Sequence, residues 1–291
     1  MKPVLSVVMS TYNRLQMLPD ALVSVLSQSF GDFEFIIIDD NSTDGTFDYL
    51  HSLRDDRIKL FKNHENKGCT FNYHIAQNIA KGKYIAHIDD DDISFPYRFE
   101  RQISFLESNN EISLLGTFIE TFGENQRPSW VFYTEPEKID LCMNFYNPIC
   151  HSSIMYRKDF VDKHFINYNL ACKCAQDYDF YKQILFAGGK LANIDEILVR
   201  YRMHANRLTD IRDSQQIQID IAEKVKKALQ LRFLSEEEHK KISDLMADFP
   251  YNDYSLDNVI LAISMIEKTN FYSQKLVQSL VQDIKNNLFK F

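Results

Sequence analysis

Short apolar runs at residues 4–9, 33–38, 58–61 and 84–88 alternate with stretches whose apolar residues recur at helical spacing. The first run is broken only by Ser6, the mark of a strand buried on both faces. Pro19 then sits where a helix loses nothing by a missing N–H. Leu18, Ala21, Leu22, Val25 and Leu26 form one apolar face around it. Asn41-Ser42-Thr43-Asp44-Gly45 is dense in turn and N-cap residues and predicts a short helix through Leu50. Asn66-Lys67-Gly68 is a turn, a helix is predicted over 70–80, another from 95 to 108, and a further strand over 112–120. Strand–helix alternation of this kind predicts right-handed crossovers and a mainly parallel central sheet, an α/β fold.

A strand at 197–204 ends that alternation, and from about Thr209 the pattern is helical only. Ile217, Ile221, Val225 and Leu229 repeat every four residues, Ser235-Glu236-Glu237-Glu238 is a capping box, and apolar faces recur over 256–266 and 276–288. The expected division is an α/β domain over 1–208 and an all-helical C-terminal extension over 209–291. That extension packs on the domain, pairs two copies into a homodimer, binds a partner, or lies on a membrane surface.

The run at 84–88 ends in Asp89-Asp90-Asp91-Asp92. Four adjacent carboxylates repel one another unless some stay protonated or a cation joins them. Oxygen ligands of this kind suit Mg2+ or Mn2+, which commonly hold substrate phosphates as well. The run at 33–38 also ends in acids, Asp39-Asp40, and the first run ends in Ser10-Thr11-Tyr12-Asn13-Arg14. In a parallel sheet these three ends share one crevice at the carboxyl edge. An aromatic ring and a carboxylate suit a nucleotide base, and acids with a cation suit its phosphates. Neither the Rossmann glycine fingerprint nor a P-loop occurs, which removes those two readings.

Composition narrows the class. The chain has 291 residues, 45% hydrophobic and 25% charged, and a net charge of −8, which argues against non-specific nucleic-acid binding. No apolar run approaches the ~18 residues of a spanning helix. The first residues lead straight into a strand without a cleavage site. Cys69, Cys142, Cys150, Cys172 and Cys174 lack zinc-ligand spacing and read as reduced thiols of a cytoplasmic protein.

The segments Ser6 to Arg14, Ile36 to Thr46 and Tyr84 to Asp92, in that order and spacing, resemble the signature of family 2 glycosyltransferases. The resemblance covers roughly the first two-thirds of the chain. It implies a GT-A fold and an inverting, metal-dependent enzyme that uses a nucleotide-sugar donor, with Mn2+ or Mg2+ as cofactor. It implies that Thr11, Tyr12 and Asp40 hold uracil and that Asp89, Asp90 and Asp91 are the D-x-D motif, with Asp91 the direct metal ligand. Ser10, Arg14, Asn66, Lys67 and Gly68 fall on the same nucleotide-sugar side. Asp177 sits at the matching place of the family's catalytic base, although Gln176 replaces the usual Glu before it. His204, in a Tyr-Arg-x-His ending, would complete the metal shell or touch the diphosphate.

Other residues keep two readings each. Arg98 and Arg101 share a helix face and either solubilise it or meet phosphate. Trp130 either stacks on an acceptor sugar or anchors its loop. His151, within a segment that resembles the family's return to the sheet beside the acceptor, is either structural or acceptor-facing. The expected activity is transfer from a UDP-sugar to a hydroxyl of a saccharide or lipid-linked saccharide, as in bacterial surface-polysaccharide synthesis. No transmembrane segment is expected, though peripheral contact with the inner membrane face is compatible with it. The rival classes are a nucleotide-sugar pyrophosphorylase or metal phosphohydrolase, and a non-catalytic nucleotide-sugar-binding module.

Overall fold

The structure, a computed structural model, describes residues 2–124, 129, 132–143, 147–172, 175–204 and 278. Trp130 and, Gln278 apart, the expected helical extension lie outside these residues. The chain divides into two units, residues 1–140 with 147–204, and residues 141–146 with 205–291. The sheet lies in the first.

In chain order the first half carries β1 (Leu5–Thr11), α1 (Leu18–Leu26), β2 (Phe33–Asp39), α2 (Thr46–Ser52), β3 (Ile58–Lys62), α3 (Cys69–Ile79) and β4 (Tyr84–His87). There follow β5 (Ile93–Ser94), α4 (Arg98–Ser108), β6 (Ile112–Gly123), α5 (Pro136–Cys142), β7 (Met155–Arg157), α6 (Lys158–Lys163), α7 (Gln176–Phe186) and β8 (Lys190–Met203). The strands form one sheet in the order β3-β2-β1-β4-β7-β6-β8-β5. The half built from β1 to β4 is wholly parallel. Beyond it β7 runs antiparallel between β4 and β6, β8 returns parallel to β6, and the two-residue β5 closes antiparallel on β8. The sheet is therefore mixed, with its parallel half where the alternation of the sequence is regular.

The apolar runs do what their lack of alternation requires: Leu5, Val7, Val8 and Met9 of β1 and Phe35 to Ile38 of β2 are buried on both faces. Gly82 marks a close approach, because a Cβ there would lie 2.5 Å from the Ser6 amide nitrogen. Both Ser6 and Gly82 belong to a buried knot in which Ser6 Oγ donates to Glu34 Oε1 and accepts from the Gly82 amide.

From β1 the chain first builds outward through β2 and β3, then returns to place β4 on the other side. The strand order therefore reverses beside β1, and a crevice opens there at the carboxyl ends. The loops bordering it are tied by the polar residues that mark them in sequence. Asn13 N donates to Ser42 Oγ at 2.9 Å, Thr43 N to Asn13 Oδ1 at 2.8 Å, and Leu15 N to Asp44 Oδ2 at 3.1 Å. Asn13 and Asn41 take positive φ, +54° and +66°, which asparagine tolerates better than most residues.

Candidate active site

At the ends of β1 and β2, the Tyr12 ring is 44% exposed beside the buried Thr11. Thr11 Oγ1 has no hydrogen-bond partner among the described residues. Asp40 is only 2% exposed, and its carboxylate is already engaged. Oδ1 accepts from Asn63 Nδ2 at 2.7 Å and the Lys67 amide at 2.9 Å, while Oδ2 accepts from the Gly68 amide at 2.8 Å. Asp40 thus pins the 66–68 turn whatever else it binds, and one lone pair on Oδ2 is left for a ligand donor. Asn63 passes the connection to Asn72 at 2.7 Å, and Asn72 Nδ2 donates to Ser10 Oγ at 2.8 Å. Neither asparagine carries a motif, so neither was legible beforehand.

The four acids occupy the turn between β4 and β5 and do four different things. Asp89 Oδ1 accepts from Tyr73 Oη at 3.1 Å and lies 3.7 Å from His151 Nδ1. Burial raises its carboxyl, yet the His151 imidazole and the Tyr73 hydroxyl outweigh that and hold it below its usual range. Asp90 lies 3.7 Å from Arg14 Nε, and its carboxyl is pushed up to about 8 by burial and by Asp91. Asp91 is raised by burial and by Asp89, against the pull of His204, whose Nε2 is 2.9 Å from its Oδ2. Asp92 is fully buried, accepts the Arg202 amide at 2.8 Å and is pushed well up by burial and by Asp91. Asp92 therefore fastens the end of β8 to the turn. Arg202 helps, its Nε donating to the Asp91 carbonyl at 2.8 Å and its Nη2 to Asp20 at 3.0 Å.

Arg98 is not at the phosphate side. Its side chain is fully buried, donating to Gln102 Oε1, to Ser94 Oγ, to the His87 carbonyl at 2.6 Å and to the Ile154 carbonyl at 3.2 Å. Burial lowers it to about 9, so it remains a cation beneath the acidic turn. The expected pairing with Arg101 fails because α4 starts at Arg98 and turns that side chain inward, while Arg101 reaches Glu196 at 3.3 Å. His151 is likewise drawn inward. Its Nε2 is 3.1 Å from Tyr168 Oη, so it buttresses Asp89 in a cluster with Tyr73, His87 and Tyr168.

Asp177 lies in the first turn of α7, behind Ala175 in a left-handed conformation with φ +53°. It is half-buried, and Oδ2 accepts from Asn147 Nδ2 at 2.8 Å. Asp179 faces along the helix instead, accepting from Gln183 Nε2 at 2.9 Å. Asp177 and Asp89 both bear on the Cys69 thiol and the Tyr168 hydroxyl, so the two carboxylates border one region. Burial and these acids push Cys69 up to about 11, which makes it a poor nucleophile.

Among the described residues no three His, Cys, Asp or Glu side chains form a ready ligand cage. Asp91 and His204 nonetheless present an oxygen and a nitrogen side by side, in a turn whose carboxylates are raised by one another. A divalent ion that shares phosphate oxygens needs only one or two protein ligands, so these residues fit Mn2+ or Mg2+.

The Glycosyl transferase family 2 profile matches residues 6–165. A glycosyltransferase of Haemophilus influenzae is 28% identical over 99% of this chain and 88% of its own length. The Escherichia coli UDP-Glc:alpha-D-GlcNAc-diphosphoundecaprenol beta-1,3-glucosyltransferase WfaP is 31% identical over 70% of this chain and 79% of its own. Among solved structures, Staphylococcus aureus TarS residues 1–349 in complex with UDP-GlcNAc has a TM-score of 0.66 and 18% identity over 95% of this chain and 83% of that one. That likeness shows the fold, a GT-A arrangement. The matched motifs occupy the crevice beside β1, and the chain belongs to glycosyl transferase family 2 and is a glycosyltransferase.

Proposed function

We propose that this protein transfers a sugar from a UDP-sugar to a hydroxyl of a saccharide or lipid-linked saccharide acceptor, with inversion at the anomeric carbon. Two features support the reading: an acidic turn in which Asp91 and His204 stand side by side, and a separate carboxylate, Asp177, held by the neutral donor Asn147. Tyr12 would lie against uracil, with Thr11 Oγ1 and the remaining lone pair of Asp40 Oδ2 for its polar edge. Ser10, Arg14 and the Asn66-Lys67-Gly68 turn would line the rest of the donor. Asp91 and His204 would hold Mn2+ or Mg2+, which would offset the charge of the departing diphosphate. Asp89 is positioned by Tyr73 and His151 next to that pair.

A hydroxyl is a weak nucleophile, so a base must take its proton as the new bond forms. Asp177 would accept that proton while the acceptor oxygen attacks the anomeric carbon opposite the leaving UDP. One displacement inverts the centre, and no second carboxylate is needed as a nucleophile. The names of WfaP and TarS complexed with UDP-GlcNAc support a uridine donor, and that of WfaP supports a polyprenyl-diphosphate-linked acceptor in surface-glycan assembly. Among the described residues no helix is long and apolar enough to cross a membrane. A protein of the cytoplasm that meets lipid-linked acceptors at the inner membrane face suits this reading.

The test is to incubate the protein with UDP-glucose, UDP-GlcNAc and their epimers, Mn2+, and a panel of free and lipid-linked saccharides, following UDP release and product mass. Acceptor-dependent UDP release with an elongated, inverted product is expected. Release of sugar 1-phosphate and UMP would show a phosphohydrolase instead, and UDP-sugar binding without turnover on any acceptor would point to a binding module.

A further inference from the structure

Asn147 makes the one side-chain hydrogen bond described for Asp177, and its geometry leaves no freedom in which way the amide faces. Asn147 Oδ1 accepts from the Ile149 backbone N–H at 3.1 Å, so the donor end, Nδ2, must face the carboxylate, which it reaches at 2.8 Å. Asp177 Oδ2 thereby accepts one fixed hydrogen bond, and no side-chain donor is described for Oδ1. The other titratable groups that bear on Asp177 are Cys69 of α3, Tyr168 of the loop before α7, and Tyr181 one turn along α7. Burial pushes all three up, so they are neutral at neutral pH. The fixed polarity beside the carboxylate therefore comes from Asn147 and from the N-terminal end of α7.

We propose that Asn147 is the positioning residue of the general base: it holds the Asp177 carboxylate in one rotamer and aims Oδ1 at the acceptor. The inference rests on Asp177 being the base. A base that must meet a hydroxyl at hydrogen-bond distance loses rate steeply when its direction is released. The hydrogen bonds described for the Asn147 side chain go to Asp177 and to the Ile149 amide, so its effect should fall on kcat and leave donor binding alone.

Two variants separate positioning from folding. Asn147→Ala removes both halves of the clamp. Asn147→Asp keeps an acceptor for the Ile149 amide but replaces the donor by a like charge, so the turn survives if the Ala variant proves unstable. Both are expected to lower kcat about 10- to 100-fold at neutral pH, with unchanged UDP affinity by calorimetry. In an Asp177→Asn background, Asn147→Ala should cost nothing further, because the two act as one unit. An Asp177→Asn enzyme that stays active overturns the base reading itself. An inactive Asp177→Asn together with Asn147 variants of wild-type kcat overturns this inference alone, as would an additive loss in the double variant.

Discussion

His204 Nε2 stands 2.9 Å from Asp91 Oδ2 across 113 positions of sequence. The contact is set up by β8, whose last residues are sewn to the acidic turn through Arg202 and Asp92. Under the proposed function the two side chains would hold a divalent ion that also meets the phosphate oxygens. Asp91→Ala is expected to abolish turnover and to remove the gain in UDP affinity that Mn2+ gives. His204→Ala should weaken that gain about 10-fold, since one ligand remains. Calorimetric titration of UDP with and without Mn2+ checks both. Equal affinities in the unaltered protein would rule out a cation bridging this pair and the diphosphate.

In the parallel half β1, β2 and β4 were legible because they are buried on both faces and show as nearly continuous apolar runs, whereas the edge strand β3 is partly exposed. The antiparallel half was harder to read. β5 is two residues long, β7 three, and β8 begins at Lys190, well before the apolar run at 197–204. Such strands are fixed by neighbours distant in sequence and leave little periodicity behind. At the site, motifs marked Thr11, Asp40, the four acids and His204 as candidates, because chemistry clusters at strand ends. Motifs do not show orientation. Arg98, at i, i+3 with Arg101, read as either solubilising the helix or meeting phosphate, yet packing turned it into the core. Asn63, Asn72, Tyr73 and Asn147 act only through contacts that folding creates.

Arg98 is expected to matter for stability and not for donor recognition. Arg98→Met keeps much of the volume but leaves the His87 and Ile154 carbonyls without their guanidinium partner under the acidic turn. Unsatisfied buried groups of this kind cost ~1–3 kcal/mol each, so urea unfolding should show a loss of ~2–5 kcal/mol. The folded fraction should still bind UDP normally. A variant as stable as the parent, or a selective loss of UDP affinity, would return Arg98 to the phosphate side.

The crowded acids should make the cation-free protein sensitive to pH. In the folded chain burial and Asp91 push the Asp90 carboxyl up to about 8, against an ordinary value of 3.8. A folded value above the unfolded one means stability that is fully present below the unfolded value and lost as pH rises through the folded one. Without divalent ions, Tm should therefore fall from about pH 4 to about pH 8 and level off above it. Asp90→Asn should flatten that slope, and Mn2+ or Mg2+ should offset it in the unaltered protein. Scanning fluorimetry across this range reads all three, and a slope that survives Asp90→Asn unchanged would assign it to other groups.

Asp177 and Asp179 are two residues apart on one helix turn, yet their surroundings predict opposite outcomes. The Asp177 carboxylate is aimed away from the helix by Asn147, whereas Asp179 folds back on Gln183 of its own helix. The hydrogen bonds described for both side chains, to Asn147 and to Gln183, lie away from the residues assigned to uracil, so neither change should disturb ground-state donor binding. Asp177→Asn is nearly isosteric and removes only the proton acceptor. It is expected to lower kcat by ~10²–10⁴-fold, the range for general-base loss, with donor affinity little changed. Asp179→Asn should keep most of the parent kcat, because an amide oxygen can still accept from Gln183. Steady-state kinetics with calorimetric UDP affinities decide the matter. More than about a tenth of wild-type kcat in Asp177→Asn falls outside what loss of a general base allows. An inactive Asp179→Asn beside an active Asp177→Asn would move the base two residues along the helix.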